Sequence, residues 1–115
     1  MKKFLKSFIY SFNGLSYAFR TQLSFRVHCL AAVLVVLLGL YFKLNSYEWL
    51  WIAIAIAVVV ILELVNTAIE ILVDLVSPEQ NPKAGAIKDV ASAAVLIGGL
   101  MALVIGLIIF VPKLI

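Results

Sequence analysis

Three stretches of this 115-residue chain are too long and too apolar to be hidden inside a water-soluble domain of that size. The first runs from about Phe25 to Phe42, FRVHCLAAVLVVLLGLYF; the second covers 49–76; the third covers 88–111 and stops at Pro112. Each reaches the ~20 residues that cross a bilayer core of ~30 Å. Only 13% of residues are charged, about half the usual share. The chain therefore reads as an all-α integral membrane protein, a single domain over residues 1–115.

The connection KLNSYEW is short, so the first two spans pair as a helical hairpin. Tyr41, Tyr47, Trp49 and Trp51 cluster there as an interfacial aromatic belt. The longer connection SPEQNPKAGAI is polar, and Pro78, Pro82 and Gly85 punctuate it as a loop. Lys2, Lys3, Lys6, Arg20, Arg26, Lys83 and Lys88 fall on the side of that loop, while Lys43 and Lys113 fall on the other. This bias puts the N-terminus and the 77–88 loop in the cytoplasm and the C-terminus outside. Over residues 2–20, Phe4, Phe8, Phe12, Leu15 and Phe19 recur at three- and four-residue spacing among basic and polar neighbours. That pattern predicts an amphipathic helix lying on the inner membrane surface. One surface helix and three spans offer too few walls to shield several carboxylates, so a homo-oligomer is expected.

Several function classes drop out. No basic, aromatic face extends into water, which argues against a nucleic-acid partner. Zinc is a poor match for one histidine, His28, beside one cysteine, Cys29. A single cysteine also excludes a disulfide within the chain. The first twenty residues lack a small-residue cleavage pattern and do not read as a removed signal. There is no phosphate-binding G-x-x-x-x-G-K-[ST] loop, no glycine-rich kinase loop and no serine elbow.

Polar chemistry instead concentrates in ELVNTAIEILVD, residues 63–74. At about 100° per residue, Glu63, Asn66, Thr67, Glu70 and Asp74 share an arc of roughly 100° on one helix. Leu64, Val65, Ile69, Leu72 and Val76 occupy the opposite face. A carboxylate at mid-bilayer costs roughly 2.5–3.5 kcal/mol, so acids retained there are read as functional by default. Counted from Trp49, Glu63 lies roughly 21 Å along the span, still within the apolar layer, whereas Glu70 and Asp74 reach the cytoplasmic interface. Apolar surroundings suit Glu63 to the work of a general base. Lys88, Asp89 and Ser92 open the third span in the same water layer. Open carboxylate ligands suit a hard cation such as magnesium, which arrives carrying substrate phosphates. Ala91, Ser92, Ala93, Ala94, Gly98 and Gly99 allow close helix packing.

ELVNTAIEILVD, followed at short range by KDVASAAVLI, resembles the signature of the small prokaryotic diacylglycerol kinase and undecaprenol kinase family. The likeness spans nearly the whole chain. It implies an ATP-dependent lipid kinase of the bacterial inner membrane, acting as a homotrimer with sites shared between subunits. Carried over by position, it makes Glu63 the base that takes the proton of the lipid hydroxyl, and Glu70 the magnesium carboxylate. Asn66 and Asp74 match polar partners of the catalytic motif. Lys88 and Asp89 match the pair that holds the nucleotide, and Glu79 and Tyr10 match nucleotide contacts. The family's second magnesium ligand, a glutamate, is replaced here by Gln22 of TQLSF. Magnesium affinity is therefore expected to be weaker, with the amide oxygen or a water bridge standing in. Asn81 and Pro82 depart from the histidine-containing loop of relatives. FRVH, with His28, resembles the undecaprenol branch more than the diacylglycerol branch.

Two readings of another class stand beside this one. A proton-coupled transporter would use Glu63 as its transport carboxylate, but such exporters usually need four spans and lack a Lys-Asp pair beside the acids. An inactive membrane assembly subunit derived from a kinase would draw only on Gln22.

Overall fold

A single residue, Gln22, separates the first two helices. Its backbone is extended (φ −116°, ψ 109°), so it ends one helix and caps the next. The computed structural model describes all 115 residues as α1 (Lys2–Thr21), α2 (Leu23–Tyr41), α3 (Ser46–Val76) and α4 (Pro82–Leu114). The break at Gln22 is braced by Arg26, whose guanidinium donates to the carbonyls of Phe19 and Arg20 at 3.0 and 3.2 Å. Those carbonyls belong to the last turn of α1, where no intrahelical donor remains.

The α2–α3 turn is closed from both sides. Leu44 N–H reaches Gly39 O at 3.1 Å and Lys43 N–H reaches Leu40 O at 3.4 Å, the paired bonds of a Schellman ending. Lys43 takes the left-handed conformation this ending requires, at φ 54°. Gly39 is needed for a different reason: a Cβ there would lie 2.6 Å from Trp49 Cη2 and 3.0 Å from Leu44 Cδ1. α3 then begins with a capping box, Asn45 Oδ1 accepting from Glu48 N–H and Glu48 Oε1 accepting from Asn45 N–H. Because a non-glycine residue in the left-handed region costs roughly 1–2 kcal/mol, Lys43→Gly is expected to stabilise the fold by about 1 kcal/mol. Reversible unfolding in mixed micelles measures it.

α4 starts earlier than the sequence predicts, at Pro82 rather than 88, and the loop shrinks to residues 77–81. Asn81 caps the helix, its Oδ1 accepting from Lys83 N–H at 2.9 Å. Proline loses nothing in the first turn, where its missing N–H would have no partner. Pro82 thus opens a helix where it reads as a breaker. Pro112 does not stop α4 either, for the helix runs on to Leu114. So close to the end it forfeits only the bond to the Ile108 carbonyl.

α3 packs most extensively on α4, then on α2, while α1 touches α2 and α3 lightly. Gly98 of α4 admits the Leu62 side chain of α3. At the end carrying the α2–α3 turn, Leu44, Ile52 and Ile109 form the buried core, with Phe42, Trp49 and Phe110 packed on it. Lys113 Nζ meets Glu48 Oε2 at 3.0 Å there and ties the end of α4 to the start of α3. The molecule is a slab of 52 × 42 × 20 Å with a radius of gyration of 17.0 Å, against about 13 Å for a compact chain near this length. Only 14 of 115 residues are buried, so most large apolar side chains are left for lipid or for another copy. α2, α3 and α4 are each long and apolar enough to cross a membrane.

Candidate active site

In a slab this thin, the one large side chain that is fully buried is a carboxylate, Glu63, at 1% exposure. Its side-chain neighbours come from α2. Ser24 of α2 donates its hydroxyl to Glu63 Oε2 at 3.0 Å. One turn further along the same face, His28 Nε2 lies 3.2 Å from Glu63 Oε1. That second approach falls outside hydrogen-bond angles and leaves Oε1 without a bonded partner. α4 closes the far side of the ring at Gly99. The predicted stripe is intact: Glu63, Asn66 and Thr67 are buried, Glu70 is half-buried and Asp74 is exposed. Thr67 is spent on its own helix, its hydroxyl bonding the Glu63 carbonyl at 2.9 Å.

About 10 Å further along α3, Glu70 stands between two amides. Asn66 Nδ2 approaches its Oε1 and Gln22 Nε2 its Oε2, both at 3.4 Å. The helix break at Gln22 is what brings that residue to α3. Asn66 Oδ1 is buried with no partner. One carboxylate and two amides, with an acceptor to spare, suit a hard cation that brings most of its oxygen ligands from phosphates and water. No cluster of three or more His, Cys, Asp or Glu side chains is present, so the protein itself offers no dedicated metal cage.

The stripe ends at Asp74, whose Oδ1 accepts from Lys88 Nζ at 2.6 Å. Both side chains are open to solvent, and such pairs contribute at most about 1 kcal/mol. Lys88 is therefore free to leave Asp74 for a stronger anion. The two line an open groove of about 670 Å³ together with the 77–81 loop, Glu79 included, and the first turn of α4. Asp89 is exposed and lies outside this groove. Tyr10 is 67% exposed on α1, twelve residues and about 18 Å from Gln22, and it joins none of these groups within one chain.

Two partners of Glu63 were not legible as such. Ser24 gave no signal alone, and His28 entered only as a poor zinc ligand and as part of FRVH. Their four-residue spacing, which puts both on one face of α2, was the available clue.

A buried carboxylate joined by a polar stripe to an open, lysine-bearing groove, on helices able to cross a membrane, fits a small membrane phosphotransferase, and the comparisons with known proteins establish that class. Residues 9–110 match the family described as prokaryotic diacylglycerol kinase. The chain is 40% identical over 114 residues to the undecaprenol kinase of Bacillus subtilis (strain 168), covering 99% of this chain and 93% of that one. It is 38% identical over 111 residues to a diacylglycerol kinase of Synechocystis sp., covering 96% of this chain and 63% of that one. To the diacylglycerol kinase of Escherichia coli (strain K12) it is 30% identical over 102 residues, 89% of this chain and 84% of that one. The chain belongs to the prokaryotic diacylglycerol kinase family.

Proposed function

We propose that this protein transfers the γ-phosphoryl group of ATP to the hydroxyl of undecaprenol, yielding undecaprenyl phosphate. The observation that carries the reading is the burial of Glu63 at the lipid-side end of a polar path whose other end opens at Lys88. A lipid alcohol presents its hydroxyl near headgroup depth while its chain stays in hydrocarbon, and ATP arrives from water. Glu63 takes the hydroxyl proton as the oxygen attacks. Lys88 exchanges Asp74 for a phosphate oxygen, and Asp74 and Glu79 border the nucleotide, while Asp89, outside the groove, would meet it only from beyond the rim. Asn66 steadies Glu70. Glu70 and Gln22 would hold Mg2+, which when bound neutralises charge on the β- and γ-phosphates.

The same reading has α1 lying on the inner surface, the N-terminus cytoplasmic and the C-terminus outside. The apolar faces left bare on α2, α3 and α4 support assembly into a homotrimer. In such an assembly Tyr10 would serve a neighbour's nucleotide. Diacylglycerol is the second substrate to weigh, since relatives from Synechocystis and Escherichia coli are named for it.

Purified protein supplied with labelled ATP, Mg2+ and both lipids in competition tests the assignment. Label is expected mainly in undecaprenyl phosphate. Label mainly in phosphatidic acid moves the substrate to diacylglycerol, and label in neither lipid ends the kinase reading. A subtler expectation concerns Gln22. Adding a carboxylate raises the charge of a magnesium site, so Gln22→Glu should lower the Mg2+ needed for half-maximal rate by about tenfold, as a Mg2+ titration at saturating ATP reads.

A further inference from the structure

The two oxygens of Glu63 have different neighbours. Oε2 is held by the Ser24 hydroxyl at 3.0 Å, which donates and holds the carboxylate in place. Oε1 has no aligned donor, yet it lies 3.2 Å from His28 Nε2. The two side chains also differ in burial within the chain, Glu63 being 1% exposed and His28 32%, so the imidazole alone presents an open edge. A buried base that gains a proton in every turnover must lose it before the next, and water does not reach Glu63 directly. An imidazole accepts at one nitrogen and releases from the other.

We propose that His28 is the proton exit of Glu63, a relay that empties the base between turnovers. The proposal rests on the reading of Glu63 as the base. In the transfer itself, the lipid oxygen forms its bond to the γ-phosphorus as the bond from that phosphorus to the β–γ bridging oxygen breaks. ADP leaves with that electron pair. The hydroxyl proton passes to Glu63 Oε1 and from there to His28 Nε2. The imidazolium gives up a proton to water, and both neutral imidazole and carboxylate are restored.

No other ionisable side chain lies in contact with Glu63, and the Ser24 hydroxyl, which donates to Oε2, is not a group that carries a proton away. Of the ionisable side chains of α3, only Glu63 contacts the imidazole; its other α3 neighbours in that pocket, such as Val59, are apolar. α4 meets it at Gly99, and the ionisable groups of α4 nearest in sequence, Lys88 and Asp89, lie at least ten residues and about 15 Å away along the helix. On α2, Arg26 is turned to the carbonyls of α1, and the Cys29 thiol, though within electrostatic reach of Glu63, makes no hydrogen bond to it.

The test compares His28→Gln, His28→Ala and Ser24→Ala in the full-length protein, with Glu63→Gln as reference. Glutamine keeps a polar side chain of similar reach beside Glu63 but cannot pass a proton on; alanine leaves room for free imidazole. Both His28 variants should lose at least about tenfold in kcat, with KM for ATP unchanged. Imidazole added to the assay should restore much of the His28→Ala rate and do nothing for Ser24→Ala. The solvent deuterium isotope effect on kcat should rise in His28→Gln, as proton return becomes limiting. Wild-type kcat in His28→Gln, or a His28→Ala loss that imidazole leaves untouched, overturns the relay. Rescue also certifies that the alanine variant is folded. If Glu63→Gln itself retains activity, the underlying assignment of the base fails instead, which is a distinguishable result.

Discussion

Glu63→Gln is expected to abolish nearly all phosphoryl transfer, lowering kcat by about a thousandfold, within the range that general bases contribute. The amide matches the carboxylate in size and still accepts from Ser24, which holds Oε2 at 3.0 Å. What it loses is the ability to take a proton. KM for ATP should stay within about twofold, because the groove at Lys88 lies eleven residues of α3 away from Glu63, about 16 Å. Thermal unfolding should be unchanged or slightly later, since a neutral amide is cheaper to bury than a carboxylate. Steady-state assays at saturating lipid and ATP, with the melt run beside them, decide it. Near-normal kcat would place the base elsewhere and leave Glu63 a packing residue.

The second large effect concerns the Glu70–Gln22 contact. Glu70→Gln removes the one carboxylate in reach of the two amides. A drop of about a hundredfold in rate at ordinary Mg2+ is expected, partly recovered at high Mg2+. Adding Gln22→Glu to that variant returns a carboxylate to the opposite side of the same 3.4 Å contact. The double exchange should therefore regain at least about tenfold over Glu70→Gln alone. Residues in direct contact couple in this way, whereas distant ones add independently. A double variant no better than the single would mean that the two positions do not serve one cation.

How much of this was legible beforehand depended on the distance over which each feature is encoded. The stripe from Glu63 to Asp74 lies within three turns of one helix, and the 3.6-residue period alone aligns it. The existence of three long apolar helices follows from the length of the apolar runs. Helix ends were harder. Pro82 has the same chemistry in a loop and in a first turn, and only Asn81, bonding Lys83 N–H, turns it into a start. Gln22 stood out as a missing carboxylate, but not as the one-residue hinge between α1 and α2.

By itself the amino-acid order determined a chain bound to lipid, with one helical edge bearing acids from the apolar layer to the water. Apolar length and helical period are local properties, and they survive any packing. Only the tertiary structure decided what stands opposite that edge. Ser24 and His28 reach Glu63 across more than thirty residues of chain, and Gln22 reaches Glu70 across 48. Such pairings depend on where α2 lies against α3. That placement is set by close approaches such as Gly39 on Trp49, and the position of Gln22 by the Arg26 brace on α1, neither of which has a period to read.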